Sequence, residues 1–568
     1  MTPDAAVEAR PPTFSLFHVP RTFSLASLIA IIALAATLRF WRLEGIPPGI
    51  NQDEAVHAYD AWSLLRTGRD HDGAAWPIFF RAFGDYHPGP YIYAIIPFEA
   101  LLGLRVLAAR LPAALIGTAA IPLAYLLMRR RYGELVALFA AALIAISPWH
   151  VHLSRLAFEA GTCPTLLLLA FVLLLTATRV QPGTPMNPAR ARSLVLFTLG
   201  GLVLGLTAWT YHAMRVVVPV LLFGMVLISR RTLSEMLRTP GARIVLITAA
   251  GGLLIGLTPF LAATALAPQQ VWARATAVTG APDGSPLLSF AHGYLAHFSP
   301  EFLLFHGDRS EIQSLPGYGQ LHLPALILLP LGVWRLIANR RTDRFGLLLV
   351  FWVFIGPLPA ALTTLTGGHA LRSVGMLPAV DLVSAVGAVY LISLAGEKSA
   401  GLRRLTFSGL IVALTVCTVT FSWRFFVRYP VQSAPAFQAE WKAAFDEVEA
   451  RRNDYDLVLL STDRTNQLGM LYLFWTQMDP ASYQECDKEI EELIGIERIV
   501  RIENILFRQS AFLPFLRSQF QPDDLALVLE RPDVPVNGKP LKTFKLPDGR
   551  DALVMYEVRK EDIPILAP

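Results

Sequence analysis

The residues best suited to chemistry stand in short polar stretches between long apolar runs. Asn51-Gln52-Asp53-Glu54-Ala55 places two adjacent carboxylates soon after the first run, and Gly84-Asp85-Tyr86-His87-Pro88-Gly89-Pro90 follows. A carboxylate at the edge of a hydrocarbon layer is a candidate proton acceptor, because partial desolvation raises its pKa and a neighbouring cation lowers it. Asp53 also suits the start of a helix, where its charge favours the dipole, and the two roles are compatible. A second stretch, Ser147 to Glu159, puts Arg155 and Glu159 four apart. On a helix these share a face and pair, and Arg155 is also a suitable phosphate donor. His150 and His152 bring a metal to mind, but without a clear third ligand they read better as interfacial residues.

Gly307-Asp308-Arg309-Ser310 and Leu315-Pro316-Gly317-Tyr318-Gly319-Gln320 precede another run. Gly and Pro at this density demand specific turns, either to re-enter a membrane or to line a substrate. Arg215, after Tyr211-His212, and Arg372, after Gly367-Gly368-His369, each head an apolar run.

Composition names the solvent that must position these groups. With 54% hydrophobic and 16% charged residues over 568, the chain is too apolar for an ordinary soluble enzyme. Apolar runs near the roughly 20 residues needed to cross a bilayer recur along it, at 23–40, 111–128, 134–148, 162–178, 194–210, 215–229, 244–266, 321–338, 345–364, 374–395 and 404–422. The expectation is therefore an α-helical polytopic protein with about eleven transmembrane helices. The run at 215–229 is short and begins at Arg215, so it reads as tilted or broken. The piece from Tyr91 to Leu104 is short too, and reads as an interfacial or re-entrant helix.

Basic clusters give the expected orientation. Arg10 and Arg21 hold the N-terminus in the cytoplasm, and Arg129-Arg130-Arg131, then Arg179, Arg190 and Arg192, then Arg230 and Arg231, then Arg340, Arg341 and Arg344, then Lys398, Arg403 and Arg404 fall in inner loops. The loops 41–110, 149–161 and 267–320 then share the outer face. Arg155, Arg215 and Arg372 run against the positive-inside trend there, which suits an anionic lipid phosphate, although they could also be interface anchors.

The chain divides in this reading into a transmembrane catalytic domain, 1–422, with the acidic motif in its outer loop 41–110, and an extracytoplasmic soluble domain, 423–568. Tyr455 to Leu460 and Ala552 to Tyr556 read as strands, while Asn466–Gln477 and Lys488–Ile494 read as helical, giving an α/β or α+β unit. A net charge of +5 spread over short flanks orients helices and does not suggest nucleic acid. Cys163, Cys417 and Cys486 support neither a disulfide framework nor a zinc site.

These residues resemble the GT-C superfamily of polytopic glycosyltransferases, in the branch of the protein O-mannosyltransferases and the aminoarabinose transferases of lipid A (family 39-type, bacterial). Asp53-Glu54 looks like that family's acidic motif in the first outer loop, and His87-Pro88 with Tyr91 and Tyr93 like its HPP-type segment, with Gly89 in place of the second proline. Leu104 to Tyr125, with Ala109-Arg110-Leu111-Pro112, Ser147 to Glu159, and Gly307-Asp308 leading to Pro316-Gly317-Tyr318-Gly319 add to the likeness.

The resemblance implies a polyprenyl-phosphate-linked sugar donor and transfer to an acceptor (protein, lipid or glycan) on the outer side of the cell membrane. Asp53 would be the base, a catalytic role left open to Glu54 as well, Glu54 and Glu159 would position base or acceptor, and arginines would hold the leaving phosphate. His87, Asp308 and Tyr318 complete the expected substrate-binding set, and a divalent metal stays open. The rival reading is a transporter or flippase for a lipid-linked anion, which the many spans and the outer arginines also allow and to which Asp381, inside a span, adds a pointer. Transporters keep polar sites near the midplane, and here they concentrate in loops.

Overall fold

The computed structural model describes residues 20–177, 188–272, 285–363, 367–463, 465, 467–493, 496–517 and 520–563. Arg10 and Arg179 of the basic flanks, and Asn466 and Ile494 at the ends of two C-terminal segments, lie outside the described residues, as does 273–284 of the loop 267–320.

Each apolar run is helical over most of its described residues. Among the described residues eight helices are long and apolar enough to cross a membrane: Arg21–Phe40, Val106–Tyr132, Glu159–Thr176, Ala191–Thr210, Ala242–Leu266, Arg344–Ala361, Val374–Lys398 and Ala400–Gln432. A ninth forms if Met214–Ile228 and Arg230–Arg238, bent by 76°, are one broken span. The remaining two expected spans, Glu134–Ile146 and Ala325–Ala338, are helices of only 13 and 14 residues. At about 1.5 Å per residue such helices reach roughly 20 Å, short of the hydrocarbon thickness. Gly133, at φ 87°, precedes the first of them, and Pro148 starts a new helix just beyond it.

The chain falls into two compact units, each assembled from two stretches of sequence. The first, residues 1–41 and 113–424, is the helical membrane part. Its helices approach through glycine. Gly201 and Gly205 on one helix face Gly252 and Gly256 on another, two reciprocal GxxxG pairs. A Cβ at Gly252 would lie 2.0 Å from the Thr198 carbonyl oxygen, and one at Gly205 would lie 2.3 Å from that of Leu253. In lipid, where apolar burial drives no helix association, such close backbone approach supplies the packing energy. Three basic loops are also knitted together. Arg131 stands 3.7 Å from Asp343, which accepts from Tyr132 Oη at 2.7 Å, and Arg344 donates to Thr232 at 2.7 Å.

The second unit, residues 42–112 and 425–568, joins the loop after the first span to the C-terminal residues. Loop and C-terminal part are bound through backbone: Ile50 N–H donates to Phe437 O at 3.0 Å, and Gly49, at φ 72°, leaves no room for a Cβ, which would lie 2.3 Å from that oxygen. The loop holds the helices Gln52–Thr67 and Pro90–Leu102 and a hairpin of β1 (Phe79–Ala82) and β2 (Asp85–Pro88).

The C-terminal part is a mixed seven-stranded sheet of β3 (Leu457–Leu460), β4 (Lys488–Leu493), β5 (Ile496–Ile502), β6 (Ile505–Phe507), β7 (Leu525–Glu530), β8 (Lys539–Lys545) and β9 (Asp551–Arg559), in the order β4-β5-β6-β3-β7-β9-β8. The expected strands appear as β3 and β9, and the helix expected over Asn466–Gln477 as Leu468–Thr476. Lys488–Ile494 is a correction: the described part is strand, not helix. Its Glu-rich composition favours helix, but antiparallel pairing sets Glu491 opposite Arg498, with an ion pair at 3.4 Å, and this tertiary pairing outweighs propensity.

The glycine packing predicts unequal effects at two adjacent positions. Gly252→Ala should lower the thermal midpoint of the purified protein and reduce the monodisperse fraction, whereas Gly251→Ala, whose Cβ would meet nothing within 4 Å, should leave both unchanged.

Candidate active site

The acidic pair opens the Gln52–Thr67 helix. Asn51 is the N-cap, and its side chain accepts from Asp53 N–H at 2.9 Å, while Glu54 reaches back to Asn51 N–H at 3.2 Å, a complete capping box. The helix therefore starts one residue before Asp53, which occupies its first turn, half-buried, in the field of the exposed amide groups.

Glu54 has a different fate. Fully buried, it receives a two-pronged ion pair from Arg110, with Nε to Oε1 and Nη2 to Oε2 both at 2.8 Å. Arg110 spends its other donors on the carbonyls of Pro47 at 2.7 Å and Gly49 at 3.1 Å. Both carboxylate oxygens of Glu54 are thus committed to structure.

Arg110 was legible only as part of the Ala109-Arg110-Leu111-Pro112 segment, not as a partner of Glu54. Two further residues on the acidic helix escaped the sequence reading. Asp53, His57 and Asp60 recur at i, i+4 and i+7 and so share one helix face. His57 Nε2 meets His87 Nδ1 at 2.7 Å, which brings the β2 histidine to this helix. Asp60 Oδ1 stands 2.6 Å from His71 Nδ1 and also accepts His71 N–H at 3.1 Å. Burial would depress the His71 pKa, but Asp60, with Asp72 and Asp70 near, more than offsets this and lifts it to about 9. Burial and the Asp60 charge push Asp70 up to about 6.

Within the membrane unit, the other predicted residues gather in two groups. Arg155 is buried and donates to the carbonyls of Leu38, Arg39 and Trp41, each at 2.9 Å, so its guanidinium closes the C-terminal end of the first span. Its Nη atoms serve these carbonyls. The helix face that Arg155 was expected to share with Glu159 does not form, because the helix from Pro148 ends at Leu153 and Glu159 opens a 3-10 turn. Gly161 makes the reversal possible, since a Cβ there would lie 2.5 Å from Leu153 O.

The second group is a meeting of loops. Asp308 Oδ2 accepts from Ala370 N–H at 2.7 Å and Oδ1 from Ser310 N–H at 2.9 Å, with His369 Nδ1 3.6 Å away. Burial raises the Asp308 pKa, opposed by these amides and by Arg372. Arg372 N–H donates to His369 at 3.4 Å. Trp149 ties in the loop 149–161 through Nε1 to Ala370 O at 3.1 Å, and His152 does so through Ile312 O at 2.8 Å. Tyr318 is fixed by His322 Nδ1 at 3.1 Å and the Cys417 carbonyl at 3.3 Å, beneath the Arg424 guanidinium at 5.8 Å. Arg215 lies apart, over the Phe260 ring at 5.4 Å and bonded to Val271 O. His150 Nδ1 meets Arg39 at 3.0 Å, and among the described residues no three His, Cys, Asp or Glu side chains form a metal cluster.

The architecture has counterparts among known proteins. A family model described as dolichyl-phosphate-mannose-protein mannosyltransferase matches residues 87–255. The crystal structure of ArnT from Cupriavidus metallidurans in the apo state aligns over 94% of this chain and 98% of its own, at 13% identity and a TM-score of 0.56. The same protein bound to undecaprenyl phosphate aligns over 94% and 97%, at 14% identity and a TM-score of 0.53. The Archaeoglobus fulgidus oligosaccharyltransferase tethered with an acceptor peptide aligns over 96% and 75%, at 13% identity and a TM-score of 0.50. No curated protein matches the sequence. The chain thus shares the fold of the ArnT structures, a multi-pass helical membrane part with a C-terminal sheet domain.

The Asp60–His71 pair has a pH signature. A histidine raised from its ordinary 6.5 to about 9 on folding contributes stability that is complete below 6.5 and lost as pH rises through 9. The thermal midpoint should fall across that window in the native protein, and less so in His71→Gln. Equal slopes in both would contradict the pair.

Proposed function

We propose that this chain is a membrane glycosyltransferase that moves a sugar from a polyprenyl-phosphate donor to an acceptor hydroxyl or amine on the outer face of the cell membrane. The observation that carries the reading is the division of labour in the acidic pair, set in a GT-C fold. Glu54 is locked by Arg110, and Asp53 occupies the first turn of the helix that this lock anchors. The ArnT structure with undecaprenyl phosphate bound supports a lipid-phosphate donor.

In this mechanism the acceptor oxygen or nitrogen attacks the anomeric carbon, Asp53 takes its proton, and the sugar–phosphate bond breaks to release polyprenyl phosphate, with inversion. Glu54 and Glu159 position, and Arg155 does the same by closing the first span. Arg215 and Arg372 are the proposed partners of the leaving phosphate, whose developing charge they would offset. His87 supports the acidic helix through His57, and the loop from Asp308 to Tyr318 forms a substrate wall. The orientation that fits has the N-terminus in the cytoplasm and residues 423–568 outside.

Asp53→Asn tests the assignment. Removing a general base should slow consumption of a polyprenyl-phosphate sugar by about a hundredfold or more, while the thermal midpoint of the purified protein stays at its native value. Turnover near the native rate would remove Asp53 from the role.

A further inference from the structure

The helix Arg230–Arg238 has a composition that neither a span nor a surface loop calls for. It connects the helix Met214–Ile228 to the span Ala242–Leu266, and it turns from the former by 76°, so it runs nearly across it. None of its residues is buried. Leu233, Met236 and Leu237 recur at i, i+3 and i+4 and form one stripe, while Arg231, Ser234 and Arg238 form the opposite one, with Arg230 at the seam. So many arginines in so short a helix are too costly to hold in hydrocarbon, and an apolar stripe is out of place in water. A helix lying in the plane of the membrane interface satisfies both.

Two observations point to what covers it. Apolar exposure continues across the bend, where Phe223, Val226 and Leu227 lie open on the last turns of Met214–Ile228 with the same i, i+3, i+4 spacing. Such exposure along one helix and then along another set across it matches hydrocarbon met first from within and then at its boundary. The charge, moreover, has one sign. Glu235 is the sole acid of the helix, against Arg230, Arg231 and Arg238. Two further arginines stand on it, since Arg344 donates to the Thr232 hydroxyl at 2.7 Å and Arg243 to the Leu237 carbonyl. A basic cluster of this kind on an amphipathic helix is the pattern that attracts anionic lipid headgroups.

We propose that Arg230–Arg238 lies in the plane of the bilayer as a docking site for anionic phospholipid, with Arg230, Arg231 and Arg238 on the headgroup phosphates and Leu233, Met236 and Leu237 in the acyl boundary. The site is independent of the glycosyltransferase reading, because none of these residues has a part in transfer.

Native mass spectrometry of the full-length protein in neutral detergent, titrated with phosphatidylglycerol or phosphatidylcholine, tests this. The native protein should bind phosphatidylglycerol about tenfold or more tightly than phosphatidylcholine. A variant combining Arg230→Gln, Arg231→Gln and Arg238→Gln should lose that preference and keep the native thermal midpoint, since the helix is exposed. The matching variant with lysine at the three positions keeps the charge and should keep the preference. Equal affinity for phosphatidylglycerol in the native protein and the glutamine variant, loss of the preference in the lysine variant, or tighter binding of inorganic phosphate than of the lipid would overturn the proposal.

Discussion

The buried ion pair between Glu54 and Arg110 is the constraint on which the rest of the candidate site depends. Two charges withdrawn from water cost several kcal/mol each unless their geometry is excellent and their remaining donors are satisfied. Here both conditions hold: the guanidinium and the carboxylate meet prong to prong, and the spare Arg110 donors are taken by Pro47 and Gly49. Those two carbonyls belong to the strand of loop that enters the acidic helix, so the pair fixes where that helix begins and where Asp53 sits. Gly49 extends the same constraint to Phe437, through a backbone approach that no side chain would tolerate.

The membrane unit solves a comparable problem without a two-pronged pair. An arginine buried among helix ends has to find oxygens, and Arg155 finds three in the last carbonyls of the first span. Nearby, the carboxylate of Asp308 is held by backbone amides from two loops. Both are polar side chains spent on main chain, the economical way to fix irregular backbone where water is scarce.

Much of this was legible from residue order. Long apolar runs predicted helices, and each is helical over most of its described residues, because hydrocarbon length is a constraint written in consecutive residues. Whether a run is long enough is decided by breaks that local punctuation sets, as at Gly133 and Pro148. The acidic pair was visible, but the separate fates of Asp53 and Glu54 were not, since Arg110 lies 56 residues beyond Glu54. The glycine pairs on two helices, the Asp53–His57–Asp60 face and the strand formed by Lys488–Leu493 share that limitation: spacing shows a face, and only the fold shows what meets it.

The most direct measurement is a double-mutant cycle on the anchoring pair. Glu54→Gln and Arg110→Gln alone should each lower unfolding free energy by about 3–5 kcal/mol, because each strands the other's buried charge. Glu54→Gln with Arg110→Gln together should cost clearly less than the sum of the two. Additive losses, or single variants as stable as the native protein, would contradict the account.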